Sequence, residues 1–156
     1  EVNERETKWG KVNLIDLGFN PSGVAVCFAG TGMALSMMDF LYDHGITPVN
    51  ITDITPGVSE NKAVVLLRTI LEDPRVNCLI MVINIFHFSR IDVYASALVT
   101  VLKQLNIDPN RFPIVVRLRG QGIEGACEIL DSVPGINYYT DEIPFAEIKE
   151  ILQKTE

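Results

Sequence analysis

The chain lacks any apolar stretch long enough to cross a bilayer. Its longest apolar run, Cys78 to Ile83 with its flanks, falls far short of the roughly 20 residues that a helical span requires. The first segment, Glu1 to Lys11, is charged and contains no apolar core of the kind found in secretory signal peptides. These absences argue against a membrane protein, and we expect about residues 1–11 to be flexible.

Basic residues are also scarce. The chain carries 13 lysines and arginines against 20 aspartates and glutamates, which gives a formal charge of −7, and no stretch concentrates the basic residues. A surface of this sign repels phosphate backbones and anionic lipid headgroups. The composition therefore argues against nucleic acid or a membrane as the main partner.

Metal-ligating residues are few and widely spaced. The three cysteines are Cys27, Cys78 and Cys127, and no pair has metal-ligand spacing. Only two histidines accompany them, His44 and His87, so no metal site is predicted. Cys27 and Cys78 fall inside predicted strands, where burial raises the pKa of a thiol, and inert packing is the expected role.

The residues that are present predict one globular domain over 1–156, because 156 residues of 47% hydrophobic composition can bury a sizeable core. Strands are predicted at Val24–Phe28, Pro48–Thr52, Val76–Ile83, Pro113–Leu118 and Ile136–Tyr139, after an edge strand within Val12–Gly18. Helices are predicted at Met33–Tyr42, Glu60–Leu71, about Arg90–Leu105, a segment ending at Leu130, and Pro144–Leu152. This alternation predicts a three-layer α/β/α, doubly wound fold with a mostly parallel five-stranded sheet.

The first core strand ends at a glycine-containing turn, Gly30-Thr31-Gly32, which opens the first helix. A helix N-terminus at such a turn offers unpaired N–H groups to an anion. A plain tight turn is the competing interpretation. Loops after the other strands should lie at the same edge of the sheet, where ligands bind in doubly wound folds.

The helix after this turn is apolar around most of its circumference. Only Ser36 and Asp39 are polar between Met33 and Tyr42. A helix that packs on one face of a sheet needs apolar residues only along the side that faces the sheet. Deep burial in the domain explains this pattern. Contact of its outer flank with another subunit or domain is the alternative explanation.

Five segments, in order and at matching spacing, give the chain a resemblance to a known family. They are GTGMALSMMD (30–39), NITDITPG (50–57), INIF (83–86), RID (90–92) and PIVVRLRG (113–120). Together they resemble the C-terminal, flavodoxin-like ligase-CoA domain of the succinyl-CoA synthetase β subunit, which malate-CoA ligases and ATP-citrate lyase share. The resemblance covers roughly residues 13–152.

The resemblance implies part of a nucleoside-diphosphate-forming acid–CoA ligase that is inactive as an isolated domain. A histidine of an α-type, CoA-binding partner would carry the phosphoryl group, and the helix opening at Gly30 would hold it, with the acid substrate at the interface. ATP or GTP, magnesium and CoA would serve the full enzyme, and none would be bound by this domain itself. A separate ATP-grasp domain, absent from this sequence, would bind the nucleotide. An intracellular location is implied, the mitochondrial matrix in a eukaryote and the cytoplasm in a bacterium.

The residues implied by this resemblance form two groups. Phosphate or substrate contacts are expected at Gly30, Thr31, Gly32, Ser89 and Arg90. The partner interface is expected at Met33, Met37 and Phe40.

Several positions depart from the family pattern. Ala29 replaces an asparagine that contacts the acid, Thr55 and Pro56 interrupt a glycine run, and Arg119 replaces an acidic residue. The bulky loop 87–89 replaces a Gly-Gly loop that approaches the substrate. A relative that lost substrate contacts and acts in assembly or regulation is therefore the alternative function, and a stand-alone nucleotide or flavin binder is a third.

Individual polar side chains leave further alternatives open. His87 has the chemistry of a phosphoryl acceptor or general base, but the resemblance places that histidine on the partner. Arg90 suits a carboxylate or phosphate, or is simply solvated at the helix start. Ser89 and Asp92 fit a capping box, Arg117 fits either a structural ion pair or a ligand contact, and His44 is expected to cap the first helix.

Overall fold

The computed structural model of the chain describes residues 10–84, 90–141 and 145–153. Its strands are β1 (Val12–Asp16), β2 (Gly23–Phe28), β3 (Asn50–Ile54), β4 (Val76–Ile83), β5 (Ile114–Leu118) and β6 (Asn137–Tyr139). Its helices are α1 (Thr31–Asp43), α2 (Glu60–Leu71), α3 (Asp92–Leu105), α4 (Ile123–Asp131) and α5 (Phe145–Gln153). None of the helices within these ranges is long and apolar enough to cross a membrane.

The central sheet is parallel, and its four hydrogen-bonded strands lie in the order β2-β4-β5-β6. β1 and β3 form a separate antiparallel pair. β3 lies parallel to β2 and joins it through two isolated bridges, Val24 with Pro48 and Ala29 with Ile54. The predicted α/β fold with a mostly parallel sheet is confirmed. One of the five predicted parallel strands, β3, is not part of the continuous hydrogen-bonded sheet and meets β2 only at the two bridges.

Two side chains of β3 fill the gap between β2 and β3. The Asn50 amide nitrogen donates to the Val26 carbonyl at 2.7 Å, and its oxygen accepts from the Val26 N–H at 3.0 Å. Two residues further along, the Thr52 hydroxyl oxygen accepts from the Phe28 N–H at 2.7 Å. Both side chains are buried, so they satisfy backbone groups of β2 that water cannot reach.

Helices cover both faces of the sheet. α2, α3 and α4 bury one face through a cluster that includes Leu67, Leu98 and Leu130. α1 and α5 bury the other face through a smaller cluster that includes Leu41 and Ile148. The three predicted layers are therefore present, and the first helix is packed on the same face as the last.

The start of α3 differs from the prediction. α2 spans Glu60–Leu71 as predicted, and the Ser59 side chain caps it by accepting from the Lys62 N–H. α3, in contrast, begins at Asp92, and its N-cap Ile91 makes no side-chain cap hydrogen bond. The predicted start at about Arg90 is therefore two residues early, and the Asp92 carboxylate pairs with Arg90. Ser89, the other member of the predicted capping box, lies outside the described residues.

Candidate functional site

The ends of the parallel strands meet at one edge of the sheet. The Ala29 N–H donates to the Val82 carbonyl at 3.0 Å, and the Arg119 N–H donates to the Ile83 carbonyl at 3.1 Å. The bridge between Ala29 and Ile54 brings the end of β3 to the same place. This carboxyl edge is where doubly wound folds bind ligands.

α1 begins at this edge with an exposed N-terminus. Its N-cap is Gly30, whose φ of +99° favours glycine, and neither a side-chain cap nor an acidic residue occupies the first turn. Thr31 and Gly32 are exposed, and a Cβ built at Gly32 would meet no described atom within 4 Å. Among the residues that the structure describes, none covers the free N–H groups and the positive end of the helix dipole, an arrangement that favours anions.

The other helices with described N-caps each have an acidic side chain in the first turn. α2 has Ser59 and Glu60 there, and α3 has Asp92 in its first turn. α4 begins after Gly122, whose φ is +82°, and a Cβ at that position would lie 2.9 Å from Asp92 Oδ1. The Asp92 carboxylate thus lies against Gly122 at the start of α4, and α1 alone of these four helices has no acidic side chain in its first turn.

Arg90 is held beside this arrangement by an ion pair. Its Nη2 donates to Asp92 Oδ2 at 2.6 Å, while 68% of the Arg90 side chain stays exposed. The hydrogen bond from Arg90 lowers the pKa of Asp92. The Ile91 N–H also donates to the Gln121 carbonyl at 2.9 Å, so the loops after β4 and β5 are joined at the carboxyl edge.

Arg117 joins strand ends at the same edge. Its Nε donates to the Asp141 backbone carbonyl at 2.9 Å, and its Nη1 donates to the side-chain oxygen of Asn84. The two acceptors lie after β6 and after β4. Arg117 therefore braces three neighbouring strand ends, a structural role that its position at the end of an apolar strand had left open.

A family model described as CoA-ligase matches residues 27–132. The chain belongs to the CoA-ligase family. The matched residues include the α1 N-terminus, Arg90 and Arg117.

Curated relatives agree with this assignment. The chain is 32% identical over 138 residues to the mitochondrial β subunit of the GDP-forming succinate–CoA ligase of Dictyostelium discoideum, covering 88% of this chain and 31% of that protein. It is 33% identical over 132 residues to the mitochondrial β subunit of the ADP-forming succinate–CoA ligase of Oryza sativa, covering 83% of this chain and 30% of that protein. The chain therefore spans about a third of the length of these relatives.

Solved structures support the fold. An ATP citrate lyase from Methanothrix soehngenii, solved in complex with citrate and coenzyme A, superposes with a TM-score of 0.76 at 16% identity, over 97% of this chain and 40% of that one. A structure of PH0766 from Pyrococcus horikoshii superposes with a TM-score of 0.64 at 18% identity, over 90% of this chain and 36% of that one. At these identities the likeness shows a shared fold alone.

Two residues that depart from the CoA-ligase pattern serve the fold of this domain. Ala29 is 1% exposed and belongs to the core cluster under α2 and α3. Thr55 accepts from the Lys11 N–H through its hydroxyl oxygen at 2.7 Å.

The predicted interface residues of α1 do not form one exposed surface. Met37 is 2% exposed and lies in the core of the domain, while Met33 and Phe40 are partly buried against the same cluster. Met37 is therefore not available to a partner in this structure. The exposed apolar residues of α1 are instead Leu35 at 56% and Tyr42 at 49%. The sequence alone could not separate them, since nearly every position of this helix is apolar.

Of the two histidines, only His44 lies among the described residues. His44 is the C-cap of α1, as predicted, and its Nδ1 lies 2.8 Å from the Phe40 carbonyl. Its ring also packs against Phe40, with ring centroids 4.2 Å apart. His87 and Ser89 lie outside the described residues, so their predicted roles stay predictions.

The cysteines offer no reactive thiol in the core. Burial raises the pKa of both Cys27 and Cys78 to about 12. Within the described ranges, no group of three His, Cys, Asp or Glu side chains could hold a metal ion. The candidate site is therefore the N-terminus of α1 with the strand ends around it.

Proposed function

We propose that this chain is part of a succinyl-CoA synthetase β-like acid–CoA ligase, and that it presents the α1 N-terminus to a phosphohistidine on an α-type partner subunit. The observation that carries the proposal is the open helix end at Gly30, Thr31 and Gly32. Free N–H donors and the positive helix end favour a phosphoryl group, by up to about 2 kcal/mol in partly buried geometry. The proposal is supported by the succinate–CoA ligase β subunits among the relatives.

The remaining components would lie outside this domain. The chain spans about a third of its curated relatives, so we infer that ATP or GTP, magnesium and CoA are bound by the rest of such a protein and by its α-type partner. The acid substrate would lie at the interface, within reach of Arg90, whose guanidinium could pair with a carboxylate if it left Asp92. We also propose an intracellular location, since two of the relatives are described as mitochondrial.

One observation favours a second function. Where the family pattern has an asparagine, Ala29 has its methyl group in the core and no polar atom to offer an acid. A protein that keeps the partner surface of α1 without ligase chemistry would act in assembly or regulation. The two functions differ in one measurement, which is CoA-dependent ADP or GDP formation by the full-length protein with its α-type partner.

Gly32→Asp tests the role of the α1 N-terminus. A carboxylate in the first turn would occupy the positive helix end and repel a phosphoryl group, while stabilising the helix by about 0.5 kcal/mol. Gly32 is exposed and a Cβ meets open space there, so the fold should tolerate the change. We expect CoA-dependent nucleoside diphosphate formation to fall about 100-fold, since removal of one preorganised contact to a developing charge costs that much.

The matched control is Gly32→Asn, which has the same shape without the charge. It should keep most of the activity, and both variants should unfold at or above the temperature of the unmodified protein. Equal activity of the Asp and Asn variants would refute phosphoryl contact at α1. Absence of activity in the unmodified protein, together with retained binding of the α-type subunit, would favour the assembly function.

A further inference from the structure

Exposed apolar residues collect on the α1 side of the sheet, at its β1–β3 edge. Ile15 of β1 lies opposite Ile51 of β3, and directly paired residues have side chains on the same face. Ile51 packs against the cluster under α1, so Ile15 also lies on that side, where it is 56% exposed. This edge therefore has an apolar surface beside α1.

One flank of α1 faces this edge. Leu35 and Tyr42 are seven residues apart, so they lie one above the other on the helix. A right-handed crossover from β2 through α1 to β3 directs that flank towards β3, and it directs the Met33 and Phe40 flank towards the middle of the sheet. This placement puts one apolar surface in the angle between α1 and the β1–β3 pair, which we name the α1–β1 groove and define by Ile15, Ile51, Leu35 and Tyr42.

The rim of the α1–β1 groove is acidic. Asp39 and Asp43 are one turn apart on the solvent side of α1, and Asp53 is on the same face of β3 as Ile51. None of the three carboxylates has an ion-pair partner among the residues that the structure describes. An apolar surface with such a rim matches a partner segment that has an apolar stripe flanked by Lys and Arg.

The groove opens at the candidate site. β3 ends beside the α1 N-terminus, because Ile54 bridges to Ala29 directly before Gly30. Thr31 stands one turn before Leu35 on the same flank of α1. A partner that brings an anion to the α1 N-terminus would therefore extend along this flank.

We propose that the α1–β1 groove receives a basic amphipathic helix of the α-type partner, an inference that rests on the proposed function. A second copy of this chain is the poorer occupant, because each copy has a formal charge of −7 and would bring the same acidic rim. The groove replaces Met33, Met37 and Phe40 as the partner surface, since Ile15, Leu35 and Tyr42 are exposed, whereas Met37 is buried and Met33 and Phe40 are partly buried.

The test is titration of the α-type subunit into the full-length protein by isothermal calorimetry. The double variant Leu35→Glu with Tyr42→Glu should bind at least about tenfold more weakly, because it places charge in the apolar centre of the interface. The control is Val65→Glu on α2, which is 43% exposed on the opposite face and should change the affinity by less than about twofold. Unchanged unfolding temperatures of both variants verify the fold.

A second arm tests the acidic rim. Asp39→Lys with Asp43→Lys should weaken binding and reduce its dependence on salt, because attraction between opposite charges is screened by ions. Binding that strengthens in this variant would overturn the assignment of a basic partner segment.

The outcomes separate the groove from the proposed function. Normal affinity of the Leu35 and Tyr42 double variant, with Gly32→Asp still inactive, would overturn the groove and leave the proposed function standing. Failure of the unmodified protein to bind any α-type subunit would overturn both. A change in self-association of the double variant, measured by sedimentation velocity, would identify a second copy as the occupant and overturn the inference.

Discussion

At the scale of single residues, the side chains of Asn50 and Thr52 make the hydrogen bonds to β2 that the backbone of a neighbouring strand would normally make. Asn50 offers the donor and the acceptor that Val26 needs, and the Thr52 hydroxyl accepts from Phe28. Burial of a polar side chain normally lowers the stability of the fold, and these two side chains avoid that loss because each is hydrogen-bonded. They hold β3 beside β2, and so hold the α1 turn beside β3.

Replacement of Asn50 should be strongly destabilising. Asn50→Leu would leave the buried Val26 N–H without a partner and its carbonyl with only the long hydrogen bond from the Thr52 hydroxyl at 3.4 Å, and a buried group left unsatisfied costs about 1–3 kcal/mol. We expect the free energy of unfolding to fall by about 2–5 kcal/mol, and by about 1–3 kcal/mol for the isosteric Thr52→Val. Urea unfolding of the purified protein measures both.

A matched control is Asn137→Leu. The Asn137 amide makes one hydrogen bond, to the Ile114 carbonyl at 3.2 Å, and the residue is only half-buried. Its loss should cost about 1 kcal/mol or less. A loss at Asn50 no larger than that at Asn137 would contradict the bridging role.

At the scale of elements, the helix N-termini at the carboxyl edge differ in whether an acidic side chain lies beside them. Asp92 belongs to α3 but lies against Gly122 at the start of α4, so one carboxylate serves two helices. The short sequence pattern around Ser89 predicted a cap within α3 alone. The spacing of Gly122 and Gly125 was the only sequence signal of the closer contact, and it has meaning only once α3 and α4 are known to be neighbours.

The ion pair of Asp92 should make stability depend on pH. The pKa of Asp92 is lowered in the folded protein, chiefly by the hydrogen bond from Arg90. Its contribution to stability is therefore complete above the unfolded pKa of about 3.9 and is lost as the pH falls through the lowered folded value. We expect Asp92→Asn to unfold at a lower temperature than the unmodified protein at pH 6, and the difference to shrink towards pH 3.

Thermal unfolding at pH 6, 4 and 3 measures this difference, with Asp39→Asn as the control. Asp39 is exposed on α1 and has no ion pair among the described residues, so its replacement should change the unfolding temperature little at any of these pH values. A constant difference for Asp92→Asn across the three pH values would count against the ion pair.

At the scale of the whole molecule, the two faces of the sheet differ in their cover. Three helices bury one face and two bury the other, so the second face leaves the β1–β3 edge exposed beside α1. The core between these layers contains two thiols, Cys27 and Cys78, each 1% exposed. They can report on opening of the whole fold.

Labelling of the thiols should follow unfolding. Because the pKa values of Cys27 and Cys78 are raised to about 12, almost no thiolate forms near neutral pH, and burial blocks the reagent. Maleimide should label Cys127 first, since it is only partly buried, and should label Cys27 and Cys78 at rates that rise with urea. Mass spectrometry of the labelled peptides measures this order, and rapid labelling of Cys27 without denaturant would contradict it.

The sequence by itself determined the layers, the succession of strands and helices along the chain, and the glycine turn that precedes the first helix. These follow from local signals: apolar runs too short for anything but strands, periodic apolar helices, and glycine where φ is positive. The recognisable segments are local as well, which is why the family could be stated from residues alone.

Only the tertiary structure decided which residues of α1 face the core and which face solvent. A helix that is apolar around most of its circumference gives little periodic contrast, so Met37 and Leu35 looked alike until the crossover fixed the orientation of the helix. The separation of β2 from β3 by Asn50 and Thr52, and the position of Asp92 against Gly122 at the start of α4, depend on contacts between segments distant in sequence. Such contacts are set by packing, which no short pattern encodes.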